Sequence, residues 1–180
     1  MKIYTKTGDE GMTSLYQKDG SEERVSKSHL IIEADGSIDE CNSSVGFAVS
    51  FVMDSDVKNI LKVVQNDLFC VSAELADRGG VKRMTRDQVE QLESIIDTYE
   101  EKLPKLTKFV LPSGQAGSAL HLARTIVRRA ERSIVRLREH GKDVVSSEIL
   151  AYMNRLSDLL FVLSRFANQE DGVEELSPTY

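Results

Sequence analysis

Residues 120–140 read LHLARTIVRRAERSIVRLREH, and two patterns share this stretch. Leu120, Ala123, Val127, Ala130, Ile134 and Leu137 are spaced alternately three and four apart. That spacing lays one apolar stripe along an α-helix. Over the same turns Arg124, Arg128, Arg129, Arg132, Arg136 and Arg138 put six arginines into fifteen residues. The stripe predicts a helix packed against a core, and the arginines predict a helix with a further task.

Four more segments repeat the stripe. They are Ile38–Cys41–Val45–Ala48–Val52, Val57–Leu61–Val64–Leu68–Val71–Leu75, Val89–Leu92–Ile96–Tyr99–Leu103 and Ile149–Met153–Leu156–Leu160–Leu163–Ala167. The breaks between them carry stop and start chemistry. Asp54-Ser55-Asp56 offers an N-cap, Gly79-Gly80 ends the second segment, and Thr85 with Gln88 forms a capping-box pattern. Pro104 closes the third segment, Pro112 interrupts the connection to the fourth, and Gly141 ends the fourth. The expected class is all-α, a five-helix bundle built as a four-helix up-down core plus an extra helix.

Composition agrees. The 180 residues hold 11 Gly and 3 Pro, with no proline before Pro104, too little turn punctuation for a β-sandwich or barrel. One domain over 1–180 is expected, with 1–28 as an aperiodic N-terminal segment and 169–180 as a mobile, solvated tail. No apolar run reaches the length of a membrane span and no secretory h-region is visible. Cys41 and Cys70 both fall in apolar-periodic segments, so buried free thiols and a reducing, cytoplasmic setting are expected, a processed organellar form being the other option.

The net charge of −6 argues against a general nucleic-acid binder. It is uneven: residues 121–140 sum to +4 and the remainder to −10. Arg124, Arg128 and Glu131 fall within about 60° of one another on a helix and flank the stripe. They are expected to be partly buried, and a desolvated guanidinium pair needs anionic partners. Either a phosphate ligand or the carboxylates Glu33, Asp35, Asp39 and Glu40 can supply them. Arg129 points outward, and His121 projects away from the stripe as a surface group. His29, His121 and His140 show no zinc spacing.

The segment from Thr5 to Ser14 offers two glycines, Lys6 and four hydroxyls, a composition suited to polyphosphate although it is no Walker A loop. By composition alone the signal is weak, and a flexible polar N-terminus is the simpler reading.

Six motifs then fall in order: Tyr4-Thr-Lys-Thr-Gly-Asp-x-Gly, Arg24-Val-x-Lys27, Glu33-Ala-x-Gly-x-x-Asp39-Glu-x-Asn42, Phe109-Val-Leu-Pro-Ser-Gly114, Arg128-Arg-Ala-Glu-Arg132 and Asn154-Arg-Leu-Ser-Asp158. Together they resemble the PduO-type ATP:cob(I)alamin adenosyltransferases over residues 2–168. The resemblance implies a homotrimer with active sites between subunits. The implied reaction moves the 5′-deoxyadenosyl group of ATP onto cob(I)alamin, giving adenosylcobalamin and triphosphate. Cobalt(I) is then the nucleophile, which agrees with the lack of a Ser, Cys or His nucleophile motif. A non-catalytic ATP- or cobalamin-binding chaperone or sensor of the same fold is the alternative, and a helical adaptor is a third reading.

Carried over by residue, Thr5, Lys6, Thr7, Gly8, Thr13, Ser14 and Lys27 match the family's triphosphate cradle. Arg128, Arg129, Ala130, Glu131, Arg132 and Asn154 match its remaining ATP contacts. Asp39 and Arg124 match an intersubunit salt bridge, and Phe109 matches the residue packed on the lower corrin face. The resemblance also implies Mg2+ held mainly by the ATP phosphates, and partners that include a cobalamin reductase or a cobalamin-dependent mutase. Departures are Glu10 in place of a common lysine, Cys41 in place of leucine and Asp35 in place of an aromatic residue.

Overall fold

A computed structural model describes residues 2–16, 21–78, 80–141 and 144–179. Five helices form: α1 (Leu30–Val49), α2 (Ser55–Ala76), α3 (Arg86–Glu100), α4 (Gln115–His140) and α5 (Ser147–Glu170). Several ends follow from the residues expected to cap them. The Asp54 side chain accepts from Val57 N at 2.8 Å, Gln88 Oε1 accepts from Thr85 N at 2.8 Å, and Gly141 is the C-cap of α4. Each answers a helix-end group that has no partner inside its own helix.

Neighbouring helices pack in the order α2, α1, α4, α5, α3. All of Leu61, Val64, Leu68, Leu120, Val127, Ile134, Leu156 and Leu160 are buried, so the stripes meet in one core. Polar anchors cross it: Tyr152 donates its hydroxyl to Asp67 at 2.9 Å. Glu74, fully buried, accepts from the backbone N–H groups of Arg83 and Met84 at 2.6 and 2.8 Å. That carboxylate seats the α2–α3 connection by replacing its lost hydration with backbone donors.

Four expectations change. First, an antiparallel hairpin, β1 (Met12–Tyr16) with β2 (Glu22–Ser26), occupies part of the segment read as aperiodic. Leu15 and Val25 are buried there, and strands of five residues are too short to print a clear alternation. Second, α1 starts at Leu30, eight residues before the first stripe position Ile38, so Glu33, Asp35, Asp39 and Glu40 are all helical. Third, α2 ends at Ala76 and Arg78 already has φ of 50°, ahead of the Gly79-Gly80 pair, of which Gly79 lies outside the described residues. Fourth, the segment expected as a mobile tail folds back. Helix α5 extends to Glu170, and Glu175 then binds Arg165 at 2.7 Å.

Candidate functional site

The N-terminal loop is shaped by cations that hold its backbone. Arg24, on β2, donates to Thr7 O at 2.6 Å and to Ser14 Oγ at 3.0 Å. Lys27 Nζ donates to Gly8 O at 2.9 Å. Thr5 and Thr7 share a hydroxyl hydrogen bond of 2.9 Å. Lys6 sits at φ 62° and Gly11 at φ 76°. A non-glycine residue in the left-handed region costs of order 1 kcal/mol and clusters at ligand clamps. The N–H groups of Lys6, Thr7 and Gly8 find no acceptor among the described residues. With carbonyls tied to cations and donors left over, the loop has the polarity of an anion cradle. Thr13 and Ser14 follow on β1, and Ser14 also bonds Glu22.

The arginine row is built on α4. Glu131 accepts from Asn154 Nδ2 at 3.1 Å. Asn154 Oδ1 accepts from Arg155 Nη1 at 2.8 Å, and Arg155 Nε in turn binds Glu93 of α3 at 2.9 Å. This chain fixes the amide of Asn154: its oxygen is taken by a cation, so its nitrogen is the end left to donate. Sequence reasoning missed Arg155 and Glu93, because only the third dimension brings α3 beside α5. Arg132 folds back on the carbonyl of Arg128 at 3.0 Å, and Ala130 lies fully buried beneath the row.

The carboxylates expected to balance the arginines do so only in part. Glu40 pairs with Arg129, and Glu33 with Arg136 at 3.2 Å. These pairs run antiparallel along α1 and α4. Arg128 is exposed, against the expectation of partial burial. Its long stem lifts the guanidinium clear of the helix boundary.

Arg124 is half-buried, and its Nε is buried without a hydrogen-bond partner. Burial, then the like charge of Arg128, lowers its pKa. Asp39, exposed, lines the groove between α1 and α2 beside Phe69 and Ser72. It makes no ion pair with a described residue. Since α4 separates α1 from α5 and Arg124 lies one turn from a side chain packed on α5, the two charges stand on different sides of the chain.

That side chain is His121, and it corrects another expectation. It is 5% exposed, bonds Ser164 at 3.2 Å and stacks edge-on against Phe161. The single stripe on α4 records one buried seam, but α4 is covered by both α1 and α5. Burial, then Arg124, lowers the His121 pKa, which favours the neutral ring.

Phe109, in the connection between α3 and α4, is 77% exposed, so it is not a residue tucked beneath its own loop. Among the described residues no contact brings the N-terminal loop onto Arg128 or Asn154. Lys27, which holds the loop, stands three residues before α1, and the start of α1 faces the end of α4, about twelve residues or ~18 Å of helix beyond Arg128. A cleft of 510 Å³ opens there, lined by Glu23, His29, Arg78, Leu137 and His140. It gathers none of the residues expected to hold ATP. Among the described residues no three His, Cys, Asp or Glu side chains converge as a metal cage.

The sequence profile of the family described as Cobalamin adenosyltransferase matches residues 3–167. The corrinoid adenosyltransferase of Mycobacterium leprae (strain TN) is 43% identical over 183 residues, 96% of this chain and 94% of that one. The corrinoid adenosyltransferase of Bacillus subtilis (strain 168) is 39% identical over 184 residues, 98% of this chain and 91% of that one. Among solved structures, a variant PduO-type ATP:corrinoid adenosyltransferase from Lactobacillus reuteri, complexed with cobalamin and ATP, is similar with a TM-score of 0.89. It is 34% identical and covers 99% of this chain and 100% of its own.

Proposed function

The chain belongs to the cobalamin adenosyltransferase family, and on that premise we propose how its residues divide the work of the reaction. It is a PduO-type enzyme that transfers the 5′-deoxyadenosyl group of ATP to cob(I)alamin. The cobalt(I) electron pair forms the Co–C5′ bond, the C5′–O bond breaks, and its electron pair leaves with triphosphate. The protein supplies position and charge rather than a nucleophile.

The active site is completed between subunits of a homotrimer. The observation that carries this is the separation of Asp39 from Arg124: neither has a counter-charge among the described residues, and the Arg124 Nε is a buried donor without an acceptor. A neighbouring subunit's Asp39 satisfies it. The same contact brings one subunit's cradle of Thr5, Lys6, Thr7, Gly8, Thr13, Ser14 and Lys27 over the next subunit's Arg128, Arg129, Ala130, Glu131, Arg132 and Asn154. Arg128, exposed and not tied to a carboxylate, is the group that meets charge developing on the leaving triphosphate. Asn154, its oxygen already occupied, donates to the nucleotide.

Magnesium is assigned to the triphosphate oxygens, since nucleotide-bound Mg2+ uses few protein ligands and the described residues form no cage. When bound, it neutralises part of the phosphate charge. Phe109, exposed on its loop, packs on the lower corrin face and keeps dimethylbenzimidazole off cobalt. Without that axial donor Co(II) is easier to reduce. A cobalamin reductase is the matching electron source, and a cobalamin-dependent mutase is the matching consumer.

Among the described residues no helix is long and apolar enough to cross a membrane. Both cysteines are free thiols, which supports a reducing cytoplasmic setting. Burial, with Glu40 adding to it against Arg129, pushes the Cys41 thiol up to about 12, so it is inert.

The test is an anaerobic assay with ATP, magnesium and chemically reduced cobalamin. Cobalt(I) absorbance decays into adenosylcobalamin at a rate set by enzyme concentration. Binding without decay would instead support the chaperone or sensor reading.

A further inference from the structure

The connection carrying Phe109 is held from one side by α5 and the segment that follows it. Arg165 is 4% exposed, a fully covered cation in an apolar stretch of α5. Its Nη2 donates to Pro104 O at 3.0 Å, where the connection begins. Its Nε and Nη2 donate to the two carboxylate oxygens of Glu175 at 2.7 and 3.0 Å. One residue further, Leu176 O accepts from Leu111 N at 2.7 Å. Where the connection ends, Asn168, 3% exposed, donates to Ser113 Oγ at 3.2 Å. Val173 N then bonds back to Asn168 O at 2.8 Å.

These contacts bracket one side chain. Leu111 and Ser113 lie two and four residues after Phe109, and Pro104 lies five before it. The backbone is thus held on both sides of a ring that remains 77% exposed. A buried arginine costs several kcal/mol unless fully paired, and Arg165 divides its donors between the segment and the connection. An ordinary helix stop needs neither.

We propose that Arg165 and Glu175 are positioning residues for the corrin step, the 173–177 segment serving as a strap that sets where Phe109 stands. This rests on the reading of Phe109 as the group that excludes the lower axial base. Loosening the strap lets the ring retract, dimethylbenzimidazole return to cobalt, and reduction to cobalt(I) slow. The nucleotide cradle, at the other end of α4, is untouched.

The experiment compares Glu175→Gln, Glu175→Asp and Phe109→Ala in the full chain, with cobalamin and with cobinamide, a corrinoid lacking dimethylbenzimidazole. Glu175→Gln is expected to lower kcat with cobalamin roughly tenfold, within the range for a displaced positioning group. KM for ATP and turnover with cobinamide should stay at wild-type values. Electron paramagnetic resonance of cob(II)alamin with ATP should show a smaller four-coordinate fraction, partly restored in Glu175→Asp. Hydrogen exchange at Leu111 should accelerate.

A Glu175→Gln protein with an unchanged cobalamin-to-cobinamide ratio, while Phe109→Ala shifts that ratio, overturns the positioning role alone. An unchanged ratio in Phe109→Ala overturns the reading of Phe109, and the proposal with it. If Glu175→Gln does not fold, Arg165→Met combined with Glu175→Leu, which leaves no buried charge, carries the same comparison.

Discussion

The N-terminal loop and the α4 arginine row are assigned to the same triphosphate, yet they are held in opposite ways. The loop is exposed from Lys2 to Thr7 and keeps its shape through Arg24 and Lys27, which bond to its carbonyls. The row stands on a helix packed on both sides, with Ala123, Val127 and Ala130 fully buried beneath it. A helix held by its core can present a charge without spending it, as Arg128 does. A loop outside the core must spend cations on itself. The row is therefore expected to govern the chemical step, and the loop to govern capture of ATP.

Arg128→Ala breaks that contrast most sharply. Removing a charge that acts on a developing anion is expected to lower kcat roughly 10²–10³-fold. The melting temperature should stay within about 2 °C, because an exposed side chain contributes little to stability. Assays of cobalt(I) decay beside thermal melts check both parts. An equal loss of stability and activity would make Arg128 structural.

Gly117→Ala tests the platform itself. A Cβ at Gly117 would lie 2.1 Å from Asn168 Oδ1, and overpacking of that kind costs about 1–3 kcal/mol. Denaturant melts should register it. Gly8→Ala in the loop meets the flexible end of Lys27 at 3.1 Å and Met12 O at an ordinary 3.5 Å, so its melt should match wild type.

Lys27→Ala is expected to raise KM for ATP roughly tenfold, the loss of one charge-assisted hydrogen bond, with kcat changed far less. A loss confined to kcat would move Lys27 from capture to chemistry.

The pH dependence of stability gives a smaller effect. Burial lowers the His121 pKa below its ordinary 6.5. The unfolded chain therefore takes up the proton first on acidification. Stability from the neutral ring is fully present above 6.5 and is lost as pH falls through the lowered folded value. Melting temperatures of wild type and His121→Asn should converge as pH drops through that window. Parallel curves would place the ring in water.

Glu40→Gln should do least. The Arg129–Glu40 pair is about half exposed on both sides, and such pairs contribute about 0–1 kcal/mol. A larger change in a melt would show that Glu40 is more buried in solution than in the single chain.

Asp54, the Thr85–Gln88 box and Gly141 were legible as helix ends because capping is chemistry between residues a few positions apart. The five stripes were legible for the same local reason, and six ordered motifs carried the family resemblance. The hairpin was not legible, since strands of five residues are too short to print a period. His121 was misplaced because a helical wheel shows where an apolar stripe lies, not how many neighbours cover the helix.

By itself, then, the sequence determined the number of helices, the caps at Asp54, Thr85 and Gly141, the density of arginine on the fourth and the chemistry available at the N-terminus. Tertiary structure alone decided which of those charges are spent. It paired Glu40 with Arg129, kept Asp39 from Arg124, turned the amide of Asn154 with Arg155, and folded Glu175 back onto Arg165. Helix formation is settled within a turn or two of chain, whereas the fate of a charge depends on what packs beside it, and those neighbours come from anywhere in the chain.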